Sequence, residues 1–200
     1  MQAQSLDIEG VFAFTPPVYK DHRGLFSSPY QDAAFTGAVG HTIFPVRDIS
    51  HNVSARGVLR GVHFTKTPPG RAKYVYCPHG SVQDYLIDLR IGSPTFGRSV
   101  TTRLSGDTCK ALYVPDGVGH AFLALEDHSM VVYVMAGGYI PENEYAITPF
   151  DPELGLDLPD GYDFAQSERD SVGPTLAEAR ERGMLPTYED CKKVEAALWG

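Results

Sequence analysis

The sequence predicts an all-β fold, an antiparallel sandwich or barrel. Three observations carry this. Turn signals recur at short intervals: Pro16-Pro17, His22-Arg23-Gly24, Pro68-Pro69-Gly70, Pro78-His79-Gly80, Gly92-Ser93-Pro94 and Pro115-Asp116-Gly117. The runs between them are short and rich in Val, Ile, Tyr, Phe and Thr. The run 82–89 alternates with the two-residue period of a strand.

In chain order, strands are expected within 1–39 and then at 43–49, 57–64, 72–77, 82–89, 98–104, 111–114, 120–125 and 129–136. GVLRGVHF (57–64) has small and branched apolar residues, no Pro and no helical period. It also holds Arg60 and His63, which are costly in a buried strand unless they have partners or a task. Strict alternation puts these two on opposite faces. Their sharing one cavity requires a bulge or twist, expected at Gly61, where no Cβ obstructs it. In 82–89, Val82, Asp84, Leu86 and Asp88 share a face that is either solvated or lines a polar cavity.

The segment 151–164 reads as loop. Thr175-Leu-Ala-Glu178 is a capping box, and Gly183 suits the position just past a helix end. A second helix is expected over about 188–198. The chain reads as one domain, 1–200. Its β-core covers about 40–150, its N-terminal strands 1–39 and a helical appendage about 165–200.

The 200 residues are 42% hydrophobic, enough for a core of ordinary size. The net charge is -8 and the isoelectric point is near 5.3, which argues against a general nucleic-acid binder. Cys77, Cys109 and Cys191 are odd in number and far apart, as in a reduced cytosolic protein rather than a disulfide framework. The N-terminus lacks the features of a signal peptide, and no run is long enough to span a membrane. A cytoplasmic protein is expected.

Metal-binding cupin barrels carry Gly-x5-His-x-His with a following Glu, and later Pro-x-Gly-x2-His. Gly57-x5-His63 and Pro115-Asp116-Gly117-Val118-Gly119-His120 fit, but Thr65 occupies the second His position. Two imidazoles are a thin donor set for zinc or iron, so no metal is expected. His63 is then an organic acid or base, or a hydrogen-bonded core residue. Arg60, Lys73 and Asp84 in neighbouring strands favour a shared polar pocket.

The motifs DHRGLF (21–26), GVLRGVHF, PPGRAKYV (68–75), DYLIDLRIGSPTFG (84–97), YVPDGVGHAF (113–122), VVYVMAGGYIPENE (131–144) and SERD (167–170) resemble those of the dTDP-4-dehydrorhamnose 3,5-epimerases. They run in order over about residues 6 to 186. The tail LAEARERGMLPTY (176–188) resembles the subgroup that makes antibiotic deoxysugars in actinomycetes. The resemblance implies a cupin-like antiparallel jelly-roll barrel, a homodimer, no cofactor, and inversion beside the C4 ketone of a dTDP-4-keto-6-deoxyhexose. It places His63 as base, Asp170 as the carboxylate that orients it, Tyr133 as the opposing acid and Lys73 near the C4 oxygen. It puts Arg23 and Arg60 on the diphosphate, Phe26 and Tyr139 near the pyrimidine, and His120 in the pocket.

Two departures bear on the substrate. Ser28 stands where the family usually has Glu, and Asp48 and Ser50 stand for its Gln-x-Asn. A 3- or 5-monoepimerase of a 2-deoxy or 3-amino 4-keto sugar is the alternative. A metal-dependent cupin oxygenase and a non-catalytic sugar-binding cupin are further ones.

Overall fold

The computed structural model describes residues 1–199; Gly200, the last residue of the expected appendage, lies outside the described residues. The strands are β1 (Gln2–Ser5), β2 (Phe12–Thr15), β3 (Val18–Asp21), β4 (Gly24–Ser27), β5 (Asp48–Ser54), β6 (Leu59–Thr65), β7 (Lys73–His79), β8 (Ser81–Asp88), β9 (Ser99–Ser105), β10 (Ala111–Val114), β11 (Val118–Ala124), β12 (Ser129–Met135) and β13 (Glu144–Ala146). The helices are α1 (Asp32–Val39), α2 (Glu168–Ser171), α3 (Leu176–Glu181) and α4 (Tyr188–Ala197).

Two antiparallel sheets carry the fold. One has the order β1-β2-β10-β7-β12-β5, the other β13-β6-β11-β8-β9. The class is the all-β one expected. The sheets keep open edges, however, rather than closing into a barrel. A third, two-stranded sheet is the β3–β4 hairpin.

Alternation along the strands divides the apolar residues into three slabs. Val75, Cys77, Val82, Leu86, Leu112, Phe122 and Val131 point between the two large sheets. Tyr85, Ile87, Leu89, Leu59 and Phe64 point out of the five-stranded sheet and are covered by Leu154, Leu176, Ala179 and Leu185 from the C-terminal third. Phe14, Tyr74 and Tyr113 point out of the six-stranded sheet, under Phe35 of α1 and Phe44. At roughly 25 cal/mol per Å² of apolar surface, each fully buried side chain of this size stabilises the fold by about 1.5–3 kcal/mol. Among the described residues, no helix is long and apolar enough to cross a membrane.

The expected strand at 43–49 is displaced. Residues 43–47 are irregular, and the strand is β5, Asp48–Ser54. Pro45 has no N–H for a ladder, and Phe44 is drawn into the outer slab instead. The 1–39 segment also contains a helix, α1, as well as strands. Phe35 is its one buried residue, so it shows no apolar period. The C-terminal helices fall where expected: the capping box of α3 is formed by Thr175 and Glu178, and Gly183 follows with φ +64°.

The bulge expected in β6 is present. His63 pairs with His120 and Arg60 with Phe122, so two residues, Gly61 and Val62, oppose Ala121 alone. Gly61 has φ +105°, and a Cβ there would meet His120 O at 2.5 Å and Ala121 Cα at 2.9 Å. The extra residue resets the alternation. Leu59, Val62 and Phe64 join the outer slab, while Arg60 and His63 both reach the space between the sheets.

Candidate active site

One end of the inter-sheet space is polar. The apolar slab there gives way to a cavity of about 300 Å³. The change occurs along individual strands. On β7, Cys77 and Val75 belong to the core and Lys73 to the cavity; on β11, Phe122 and His120 both reach the cavity wall. β5 contributes Ser50 and Asn52, β6 Arg60 and His63, and β12 Tyr133 and Met135.

His63 Nε2 lies 2.6 Å from Asp170 Oδ1. Asp170 is buried on α2, where Ser167 caps its amide at 3.2 Å and the Gly61 amide donates to its Oδ2 at 3.3 Å. A carboxylate only accepts, so Nε2 carries the hydrogen and the Nδ1 lone pair is left as a base. Burial draws the His63 pKa below its usual value, opposed by Asp170. The imidazole is therefore neutral near pH 7. Asp170 itself is held below the usual carboxylate range: burial acts to raise it, but the His63 contact and the Gly61 and Ser167 bonds outweigh that.

Tyr133 lies on β12, in the sheet that faces β6. Its hydroxyl takes a bond from Asn52 Nδ2 at 3.2 Å, and its ring meets the edge of His120, centroids 5.8 Å apart at 75°. His120 Nε2 is in turn 2.7 Å from Asp84 Oδ2. The polar face of β8 is thus buried rather than solvated: Asp84 serves His120, and Asp88 pairs with Arg90 at 2.8 Å, away from the cavity. Burial pushes the Asp84 carboxyl up, against the pull of His120 and Lys73.

Lys73 is buried, and no hydrogen bond engages its Nζ among the described residues. Burial lowers its pKa; Glu144, Asp116 and Asp84 counter this, while Arg71 adds to it. An ammonium held dry, with unused donors facing a cavity, is a site for a developing negative oxygen. Among the described residues, the Arg60 side chain bonds only Ser54 Oγ, through Nε at 3.2 Å, which leaves its other nitrogens to the cavity.

Of the nine residues expected at the site, His63, Lys73, Arg60, His120, Tyr133 and Tyr139 line the cavity, and Asp170 stands behind His63. Arg23 and Phe26 do not join them within one chain. They sit on the β3–β4 hairpin, Arg23 paired with Asp21 and its side chain 78% exposed, Phe26 68% exposed.

Several lining residues were not anticipated: Asn52, Arg71, Glu144 and Arg169. Arg71 bonds Asp48 Oδ2 at 2.7 Å and the Gly137 carbonyl at 2.9 Å, reaches Glu144 at 3.5 Å, and lies 5.7 Å from the Tyr139 ring centre. Thr65, at the position of the missing histidine, donates to Glu144 at 3.2 Å. β5 did carry a signal for Asn52. Its alternation is inverted, with polar Asp48, Ser50, Asn52 and Ser54 on one face and Ile49 and Val53 exposed on the other.

A family model described as dTDP-4-dehydrorhamnose 3,5-epimerase matches residues 5–178. A dTDP-4-dehydrorhamnose 3,5-epimerase of Mycolicibacterium smegmatis is 44% identical over 192 residues, covering 96% of this chain and 94% of its own length. The structure of NovW, a 4-keto-6-deoxy sugar epimerase from the novobiocin cluster of Streptomyces spheroides, superposes with a TM-score of 0.91 at 43% identity, covering 96% of this chain and 95% of that one. ChmJ, a 3'-monoepimerase from Streptomyces bikiniensis solved with dTDP-quinovose, gives 0.90 at 41% identity, with 96% and 97% covered.

Proposed function

The chain belongs to the dTDP-4-dehydrorhamnose 3,5-epimerase family, and on that premise we propose that it inverts a carbon beside the C4 ketone of a dTDP-4-keto-6-deoxyhexose, with His63 as base and Tyr133 as acid. One observation carries the assignment of roles. A carboxylate-backed imidazole and a half-buried phenol reach a single cavity from opposing sheets, and a lysine that no hydrogen bond engages among the described residues lines the same cavity.

His63 Nδ1 takes the proton of the C–H bond next to the ketone, and that bonding pair passes to the C4 oxygen. The Lys73 ammonium stabilises the resulting enolate; one such preorganised donor is worth about 3–4 kcal/mol of barrier. The Tyr133 O–H then gives its proton to the opposite face of the carbon, leaving a phenolate. Exchange with solvent restores both groups. A positioned acid or base of this kind contributes typically about 10²–10⁴-fold.

Arg60 and Arg169 make the cavity rim cationic and suit the diphosphate. The reading extends to a homodimer in which Arg23 and Phe26 of the hairpin complete the site of a second copy. Among the described residues the hairpin pairs only with itself, and it carries exposed Tyr19, Leu25 and Phe26; Ile49 and Val53 leave an apolar face on the edge strand β5. Relatives include a 3,5-epimerase and a 3'-monoepimerase. Incubation with dTDP-4-keto-6-deoxyglucose in D2O, with deuterium located by NMR, tests the reading and reports whether C3, C5 or both exchange. Absence of deuterium at both carbons would refute it.

A further inference from the structure

Asn52 has no place in the roles assigned so far, yet it lines the cavity and touches the acid. It pairs with Val131, while Tyr133 pairs with Ser50, so Asn52 and Tyr133 are diagonal neighbours on the inner face of β5 and β12. Its Nδ2 is 3.2 Å from Tyr133 Oη. Its Oδ1 is fully buried and has no hydrogen-bond partner among the described residues. A buried unpaired oxygen is costly, so this amide is not explained by stability.

We propose that Asn52 is a positioning residue for proton delivery: its amide donates to Tyr133 Oη and so leaves the phenol's own hydrogen for the cavity. The proposal rests on Tyr133 being the acid. A hydroxyl has one hydrogen and two lone pairs. If a lone pair is occupied by Asn52, the hydrogen need not be spent on the protein. When the O–H bond breaks and the new C–H bond forms, the charge passes from the enolate to Oη, where the Asn52 N–H is already aimed. The electrostatics agree in sign. Burial raises the phenol pKa, and the Asn52 bond and Arg60 pull it back. The opposite orientation of the amide would place Oδ1 on the phenol hydrogen and hold it away from substrate.

Asn52→Asp and Asn52→Leu separate these cases. Each is assayed on dTDP-4-keto-6-deoxyglucose in D2O, with inversion and non-inverting exchange read separately, beside thermal unfolding and the wild type. A lost bond to a group that becomes charged corresponds to roughly ten- to a hundredfold. Inversion is expected to fall by that factor in both variants while non-inverting exchange persists, because His63 still forms the enolate. Asn52→Asp is expected to be the slower, since a carboxylate takes the phenol hydrogen. Inversion at the wild-type rate in Asn52→Asp overturns the proposal, because an acceptor would then serve. So does an equal loss of inversion and exchange in both variants, which marks a packing role. Wild-type inversion in Asn52→Leu overturns it as well, so if one variant fails to fold, the other still decides. Tyr133→Phe is the control for the premise: wild-type inversion there removes the acid itself and the proposal with it.

Discussion

Replacing Lys73 with Met should destroy activity and stabilise the fold. The ammonium is buried, with no hydrogen-bond partner among the described residues, and its pKa is lowered chiefly by burial. A net lowering means that desolvation outweighs the attraction of Glu144, Asp116 and Asp84. The folded state therefore binds this proton less tightly than the unfolded chain does. Lys73 costs stability below its folded pKa, and the cost fades as pH rises through that value toward the usual 10.5. Met fills a similar volume without a charge, and such replacements of buried ions stabilise by roughly 1–4 kcal/mol when they are favourable. The gain should be full below the folded pKa and should shrink as pH rises from that value toward 10.5. The kinetic effect has the opposite sign: losing the donor to the enolate oxygen costs about 3–4 kcal/mol, or 10²–10³ in rate. Urea unfolding at pH 7 and at alkaline pH, with inversion rates at pH 7, reads both. A Lys73→Met protein that inverts near the wild-type rate, or unfolds more easily at pH 7, would contradict the electrostatic argument.

Three further outcomes follow from other parts of the site. Gly61→Ala should lose about 2–5 kcal/mol of unfolding free energy, from the positive φ and the crowding against His120 O and Ala121; an unchanged urea midpoint would show that the bulge tolerates a Cβ. Asp170→Asn should slow inversion by about 10²–10⁴-fold, and the acid limb of the rate should move to lower pH, because burial is then unopposed by the carboxylate that raises His63; a limb moving upward would reverse that assignment. Asp116 is buried, and burial pushes its pKa up to about 7 from 3.8. Its neutral form thus favours the fold below pH 4, and that contribution is lost as pH rises to about 7. Asp116→Asn should therefore gain up to about 4 kcal/mol at pH 8 and little at pH 4; equal gains at both would mean that the charge is not the cause.

The strands that were legible in the sequence are those with one apolar face on the inter-sheet slab and a turn at each end, such as β8 and β10. β5 was misplaced because its inner face is polar and its outer face apolar. The usual reading of apolar as inside then selects the wrong segment, and Phe44 near Pro45 supplied a decoy. α1 was missed because one Phe does its burial. At the site, the bulge could be argued beforehand, since Arg60 and His63 cannot share a cavity on a regular strand and Gly61 lies between them. The inverted alternation of β5 pointed to Asn52, but its contact with Tyr133 and the meeting of Arg71 with Glu144 could not be argued, because they depend on pairings between segments distant in the chain: β5 with β12, and β13 with β6. Asp170 was reached only through the resemblance. From its own surroundings in sequence it is a polar residue in a four-residue helix, and its contact with His63 spans 107 positions.

The two-faced mechanism is tested most directly by following deuterium and stereochemistry together in His63→Asn and Tyr133→Phe on dTDP-4-keto-6-deoxyglucose in D2O. His63 and Tyr133 line the cavity from different sheets, so the variants should fail differently. His63→Asn should lose both inversion and exchange, since no enolate forms. Tyr133→Phe should lose about 10²–10⁴ in inversion while the original proton still washes out, returned to its own face by His63. Tyr133→Phe inverting at the wild-type rate, or His63→Asn still exchanging, would contradict the account.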